Sequence, residues 1–288
     1  MTAIIFGIGG QDGYYLSEFL TNKKAKVIGI SRHPNSGSID ISEYSEVARL
    51  ISQYKPEFIF HLAANSTTRH DALLENHQTI ATGTLNILEA VKNFSPHTKV
   101  FISGSGLQFK NEGKPIKEID PFEARDPYSV SRIQSTYAAR YFRTLGIKTY
   151  VGYFFNHDSP MRTERHMTKK IAEAAKKIAS GNNERLEIGD LEVVKEYTYA
   201  VDIVKGIWTL VNQEKISEAN ISSGRGYSIK EWLIECFSLT DKNWEDFVDI
   251  KRDFVPEYKK LVSDPSLIFS LGWKPEINLH QLAKIMMK

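Results

Sequence analysis

The feature that most restricts this chain is a glycine-rich turn near its beginning. The apolar run Ala3-Ile4-Ile5-Phe6 leads directly into Gly7-Ile8-Gly9-Gly10-Gln11-Asp12-Gly13. Gly7, Gly10 and Gly13 stand at the spacing G-x-x-G-x-x-G. One glycine permits a tight reversal, a second lets the backbone approach a pyrophosphate, and a third lets the helix pack closely on the strand. The helix, opening at Gln11 and Asp12, then turns its unpaired N–H groups toward the anion. A plain tight βα connection would use the same residues. Their place at the first strand–helix junction favours dinucleotide binding.

The first half of the chain repeats the alternation. Apolar runs at 3–8, 26–30, 58–62, 99–103 and 148–154 predict strands, and amphipathic stretches at 14–22, 43–53, 77–94 and 127–145 predict helices. Strands separated by helices of this length form βαβ units, a parallel sheet and right-handed crossovers. The fold expected is α/β, a Rossmann-type doubly wound parallel sheet. Beyond Asn156 the pattern loosens: a basic helix at 168–180, a short strand at 185–188, a helix at 201–211, a strand at 219–223, then helices at 228–239, 265–270 and 279–287. The expected division is a dinucleotide-binding domain over 1–156, with segments near 200–223 returning to it. A smaller, interleaved C-terminal substrate lobe takes 157–199 and 224–288.

Composition narrows the class. Of 288 residues, 37 are Lys or Arg and 35 are Asp or Glu, a net charge of +2, which gives no reason to expect nucleic acid or an anionic membrane as partner. The lone Cys236, in an apolar run, excludes an internal disulfide and a cysteine-rich metal site. The histidines show no H-x-x-x-H or H-E-x-x-H spacing, so no metal is expected. Ser103-Gly104-Ser105-Gly106 is not the G-x-S-x-G of a serine hydrolase. The sequence from Met1 enters a strand without the basic start and long apolar stretch of a signal peptide. No run approaches the roughly 20 apolar residues that span a bilayer. A cytoplasmic protein is expected.

The second strand ends at Ser31-Arg32-His33. An acidic residue here would hold the ribose 2′-hydroxyl of NAD, whereas Arg32 suits the 2′-phosphate of NADP. NADP(H) is therefore favoured over NAD(H).

Longer segments carry a family resemblance. Gly9-Gly10-Gln11-Asp12-Gly13-Tyr14-Tyr15-Leu16 resembles the opening of GDP-mannose 4,6-dehydratases, which are extended short-chain dehydrogenases of the NAD-dependent epimerase/dehydratase type. In the same order, Asp40-Ile41 resembles the family's acidic-apolar pair, His61-Leu62-Ala63-Ala64-Asn65-Ser66 its L-A-A-Q-S turn, and the run from Gly83 to Ala90 its G-T-x-x-L-L-E-A helix. Phe155-Asn156-His157-Asp158-Ser159-Pro160 resembles F-N-H-E-S-P, and Ser263-Asp264-Pro265 and Leu271-Gly272-Trp273-Lys274-Pro275 resemble G-D-P and L-G-W-K-P. The resemblance implies that Asp40 and Ile41 meet the adenine. By the same match Leu62, Ala63 and Ala64 lie beside the cofactor, and His157 and Arg162 touch it. Ser66, Asn156, Lys169 and Lys195 are then implied on the substrate side, a nucleotide-activated sugar with GDP as its nucleotide. Lys169 would equally suit the solvated face of its helix. Lys195-Glu196 replaces the family's R-D pair, and Val255 stands where the family has an arginine.

The chemistry implied is hydride exchange with a sugar carbon, a tyrosine moving the proton and a cation one helical turn later assisting it. Tyr128 opens Tyr128-Ser129-Val130-Ser131-Arg132, so Arg132 takes the place of the usual lysine. Where the family reads S-T-S-E, this chain reads Ser103-Gly104-Ser105-Gly106. The threonine and the dehydrating glutamate are thus both glycine, leaving Ser103 or Ser105 to supply a hydroxyl, with Glu112 and Glu118 following in a loop. Reduction or epimerisation at a keto or hydroxyl carbon is favoured. A 4,6-dehydration and a catalytically weakened binding protein stay open. Tyr137, Tyr141 and Phe142 on the helix of Tyr128 suggest a homodimer or homotetramer.

Overall fold

The computed structural model describes residues 1–31, 39–251 and 253–288. In chain order, β1 (Thr2–Phe6) passes through the glycine turn into α1 (Gln11–Asn22), and β2 (Lys26–Ile30) follows. Next come α2 (Tyr44–Tyr54), β3 (Phe58–His61) and a single turn, α3 (Leu73–Asn76), which runs through a π-helical stretch at His77–Thr82 into α4 (Gly83–Phe94). β4 (Lys99–Ser105), α5 (Pro127–Thr144) and β5 (Thr149–Phe154) complete the alternation. The second half holds β6 (His157–Asp158), α6 (Met167–Ala179), β7 (Leu186–Ile188), β8 (Val194–Glu196), β9 (Thr198–Tyr199) and α7 (Ala200–Val211). It ends with β10 (Glu218–Ile221), β11 (Gly226–Ser228), α8 (Ile229–Phe237), β12 (Val248–Ile250), β13 (Lys260–Leu261), α9 (Ser266–Ser270) and α10 (Leu279–Met286).

The six apolar runs form one sheet in the order β2-β1-β3-β4-β5-β10, with every pairing parallel. Strands buried on both faces need apolar residues at consecutive positions, which is why they read as unbroken Ile, Val and Phe runs. On one face, α2, α4 and α5 pack through Val47, Ile51, Ile87, Val91 and Ala139. On the other, α1 and α7 pack through Leu16, Leu20, Ile203, Ile207 and Leu210. A third apolar cluster joins α6, α8 and α10 to β7 through Ile171, Ile178, Trp232 and Leu282.

The chain leaves β1 toward β2 and returns to β3 on the opposite side of β1. A crevice opens at the carboxyl ends of the strands at such a switch point. β1 stops at Phe6, short of the expected Ile8, because Gly7 takes φ +93° and reverses the chain. The expected helix at 77–94 begins in π geometry. The freed Ile80 carbonyl there accepts Thr84 Oγ1 at 2.7 Å and Ser135 Oγ at 3.0 Å. The strands β8, β9, β11, β12 and β13, two or three residues each, had no counterpart among the expected elements.

Candidate active site

The glycine turn is shaped by close approach. A Cβ on Gly7 would lie 2.6 Å from the Ala63 nitrogen, and one on Gly13 would lie 2.2 Å from the Gly7 carbonyl oxygen. Gly10 caps α1 and offers no side chain to its first N–H groups, which leaves them available to an anion. The turn borders a cavity of about 510 Å³. Gly7 and Gly10 form one wall, Asp40 and Ile41 a second, and Leu62, Ala63 and Ala64 a third. A tightly packed glycine turn, beside a helix N-terminus without a side-chain cap, fits a dinucleotide pyrophosphate. Glu46 also lines this cavity, a residue that sequence reasoning passed over. Arg32 and His33 lie outside the described residues.

Gln11 and Asp12 fasten the N-H-D-S-P segment to α1. Ser159 Oγ donates to Gln11 Oε1 at 2.7 Å, and His157 Nε2 meets Asp12 Oδ1 at 2.9 Å. Burial alone would raise the Asp12 pKa, but the charge and hydrogen bond of His157, with Arg162 behind, bring it to about 2. Burial pulls His157 down and Asp12 more than reverses this, so its pKa lies above the ordinary value. Both shifts favour the charged form of the pair. Arg162 Nη2 donates to the His157 carbonyl at 3.0 Å. His157 and Arg162, implied as cofactor contacts, thus engage α1 and each other.

Tyr128 and Arg132 occupy successive turns at the start of α5. Asp126 caps the helix by accepting the Ser129 N–H at 2.9 Å, and Pro127 begins it. Arg132 is 4% exposed, and its guanidinium carbon lies 4.9 Å from the centre of the Tyr128 ring. Nη1 donates to the Ser103 carbonyl and, at 2.8 Å, to Ser103 Oγ, while Nε has no acceptor among the described residues. Ser103 Oγ donates in turn to the His61 carbonyl at 2.9 Å. Burial, then the Arg132 charge, hold the His61 pKa at about 3, so this histidine is neutral. Ser105 Oγ accepts the Leu107 N–H at 3.2 Å and caps the short turn that follows β4.

The two glycines of this strand end are not voids. A Cβ on Gly104 would meet Tyr153 Cδ1 at 2.6 Å, and one on Gly106 would meet Phe155 Cε1 at 2.7 Å. Aromatic rings from β5 and the residue beyond it fill the volume that side chains at 104 and 106 would take. Glu112 is exposed and paired with Lys110 at 2.7 Å, and Glu118 accepts the Asn220 N–H at 2.7 Å. Neither loop carboxylate reaches the strand end.

A second cavity, about 370 Å³, includes Gly106, Leu107, Phe109, Asp126 and Tyr258 in its wall. Tyr258 donates to Asn156 Oδ1 at 3.4 Å, which brings Asn156 to its edge. Lys195 lies 5.5 Å from the Tyr197 ring, and burial lowers its pKa against the pull of Asp158. The buried Tyr197 and Thr198 hydroxyls have no partner among the described residues. Lys169 pairs with Glu173 at 2.6 Å, and Ser66 is exposed. Glu196, fully buried, accepts the Ser263, Ser223 and Gly224 N–H groups and two serine hydroxyls. It ties β8 to the loops behind it. Val255, exposed, supplies no charge in place of the family's arginine. Tyr137 and Tyr141 are exposed, but Phe142 turns into the core.

The family model described as GDP-mannose 4,6 dehydratase matches residues 4–286. A protein named GDP-mannose 4,6 dehydratase 2 from Arabidopsis thaliana is 31% identical over 317 residues, which cover 99% of this chain and 85% of that protein. GDP-mannose 4,6-dehydratase of Vibrio cholerae serotype O1 is 29% identical, covering 99% and 92%. Among solved structures, RMD from Pseudomonas aeruginosa complexed with NADPH superposes with a TM-score of 0.87 at 22% identity, over 99% of this chain and 96% of that one. The dTDP-glucose 4,6-dehydratase of Bacillus anthracis in complex with NAD gives 0.86 at 17% identity, over 100% and 95%. At these identities the structures speak for the fold. The sequence matches go further: this chain belongs to the GDP-mannose 4,6 dehydratase family of extended short-chain dehydrogenase/reductase enzymes.

Proposed function

We propose that the chain uses NADP(H) to reduce or epimerise a nucleotide-activated sugar at a keto or hydroxyl carbon. The observation that carries this reading is the rebuilt end of β4. Tyr128 and a cation one turn later are present, while Tyr153 and Phe155 fill the places of the dehydrating threonine and glutamate. Residues 1–156, with 200–223, take the dinucleotide, and 157–199 with 224–288 take the sugar nucleotide.

Bound in the cleft, the nicotinamide ring supplies hydride exchange. Tyr128 gives or takes the proton at the sugar oxygen. Arg132, fixed on Ser103, holds its guanidinium against the Tyr128 ring. Ser105, whose hydroxyl proton has no acceptor among the described residues, can donate to the same oxygen. Gly7, Gly10, Gly13, Leu62, Ala63 and Ala64 hold the pyrophosphate end, and Asp40 and Ile41 the adenine. Arg32 favours the 2′-phosphate. Lys195 and Asn156 lie on the substrate side, with GDP favoured by the family. Ser66 is placed there too, and Lys169 reaches the substrate only by leaving Glu173. The aromatic face of α5 supports a homodimer or homotetramer.

Two other readings have support. Membership of the family favours 4,6-dehydration of GDP-mannose, and Arg132, Gly104 and Gly106 together favour a binding protein with little turnover. Purified protein with NADPH and a panel of GDP-, dTDP-, UDP- and CDP-linked sugars and their 4-keto-6-deoxy forms separates the three. Loss of absorbance at 340 nm with a gain of two hydrogens in one sugar, abolished by Tyr128→Phe, supports reduction. A change of sugar configuration without mass change supports epimerisation. Loss of water from GDP-mannose without net cofactor use overturns both in favour of dehydration. Cofactor binding without turnover leaves the binding protein.

A further inference from the structure

Tyr128, Arg132 and Thr136 recur every four residues along α5 and so share one face of the helix. That face is attached to the end of β4 through Arg132, which donates to Ser103, and again through Gln108. Gln108 and Thr136 are both wholly buried. Gln108 Oε1 accepts the Ser105 N–H at 2.9 Å, and its Nε2 donates to Thr136 Oγ1 at 3.0 Å. Thr136 Oγ1 donates in turn to the Arg132 carbonyl at 3.1 Å. The orientation of the carboxamide is forced: a backbone N–H can only donate, so the oxygen must face Ser105 and the NH2 group must face the helix. Capping accounts for one end alone. The Ser105 N–H needs only Oε1, whereas the bond to Thr136 leaves the short turn for another element. The space beside Gly104 belongs to the same arrangement, since a Cβ there would come within 3.1 Å of Gln108 Oε1. A side chain at 104, such as the family's threonine, would press on this carboxamide.

We propose that Gln108 is a positioning residue: it fixes the distance and angle between Ser105 and the face of α5 that bears Tyr128. The inference rests on Tyr128 and Ser105 sharing the sugar oxygen, as proposed above. One attachment lets a helix pivot, and a second on the same face stops it. Wholly buried, Gln108 cannot touch cofactor or substrate. Its loss therefore alters where Ser105 and Tyr128 meet the sugar and leaves binding alone. A displacement of about an ångström at reacting groups costs up to about 100-fold in rate.

The test uses the full chain with NADPH and whichever sugar of the GDP-, dTDP-, UDP- and CDP-linked panel it turns over fastest. Gln108→Met keeps the length of the side chain and removes both bonds. Thr136→Val cuts only the helix end of the link, and it carries the test alone if Gln108→Met does not fold. Each should lower kcat by at least about tenfold, with KM and the NADPH Kd within about twofold of the unaltered protein. The solvent deuterium isotope effect on kcat should rise, because proton transfer becomes the slow step. Gln108→Met combined with Thr136→Val should be no slower than the slower single variant, since both cut one link. Thr136→Ser, which keeps the hydroxyl, should restore kcat. A loss of thermal stability with kcat and isotope effect unchanged overturns the proposal and leaves Gln108 as a structural tie. So do effects that add in the double variant, or a weakening of NADPH binding as large as the loss of kcat. Turnover of no sugar by the unaltered protein, with NADPH bound, would instead refute the reading of Tyr128 and Ser105, and the proposal with it.

Discussion

Arg132 sits where a buried cation has little thermodynamic reason to be. Among the described residues no carboxylate pairs with it and its Nε has no acceptor. Removing an ion from water costs several kcal/mol. Its two bonds to Ser103 return roughly 1.5 to 3 kcal/mol each. The terms nearly cancel, so stability does not account for the residue, and the stacked Tyr128 ring points to chemistry. Arg132→Met should leave the folding free energy within about 1 kcal/mol of the unaltered protein, while turnover falls by about 100-fold. Urea unfolding and initial rates on the same preparation check both numbers. A fall in stability of several kcal/mol with turnover preserved would make Arg132 a structural staple between α5 and β4. Lysine is not a neutral replacement, because a point ammonium can neither stack on the ring nor fork.

The interlock of β4 with β5 belongs to the level of elements. Three ring atoms of Phe155 lie within 2.9 Å of the Cβ that a side chain at 106 would carry. Overpacking of this kind costs about 1 to 3 kcal/mol. Gly106→Ala should destabilise by that amount, and Phe155→Leu in the same chain should recover most of it. Additive effects in a urea double-mutant cycle would show that the contact is not the constraint. The same interlock marks the limit of what the sequence discloses. Ile4, Phe60, Phe101 and Val151 announce their strands because a sheet covered on both faces needs apolar residues in unbroken runs. Gly7 and Gly13 announce the turn because a side chain there would run into Ala63 and the Gly7 carbonyl. Gly104 and Gly106, in contrast, read only as missing side chains, since the rings that replace them come from another strand. The two-residue and three-residue strands of the second half carry too few positions for a period. They are held by long-range bonds, such as those Glu196 accepts from Ser223 and Ser263. The π stretch is likewise invisible, because the groups that satisfy Ile80 come from His61, Thr84 and Ser135.

At the scale of the whole molecule, the face of α4 and α5 turned away from the sheet is left apolar. Leu85 on α4, Tyr137 and Tyr141 on α5, and Leu145 just beyond it, are all exposed. Tyrosines bury about 150 to 250 Å² each when covered, and their hydroxyls tolerate a wet rim, so they suit an interface better than open solvent. A closed two-fold contact sets each helix pair against its own copy, which makes the patch self-complementary without any second surface. Tyr128 and Arg132 lie on the same helix as Tyr137 and Tyr141, so packing at this face would also stiffen the element that carries the chemistry. The expected species is therefore a homodimer, or a homotetramer built from dimers. Sedimentation velocity at micromolar concentration should give at least twice the chain mass. Tyr137→Glu with Tyr141→Glu should shift it to the monomer, because two buried charges per copy would have no partner. NADPH binding should survive in that variant, since the glycine cleft is formed within one chain. A monomer before any substitution, or an oligomer indifferent to both glutamates, would rule out this face as the interface.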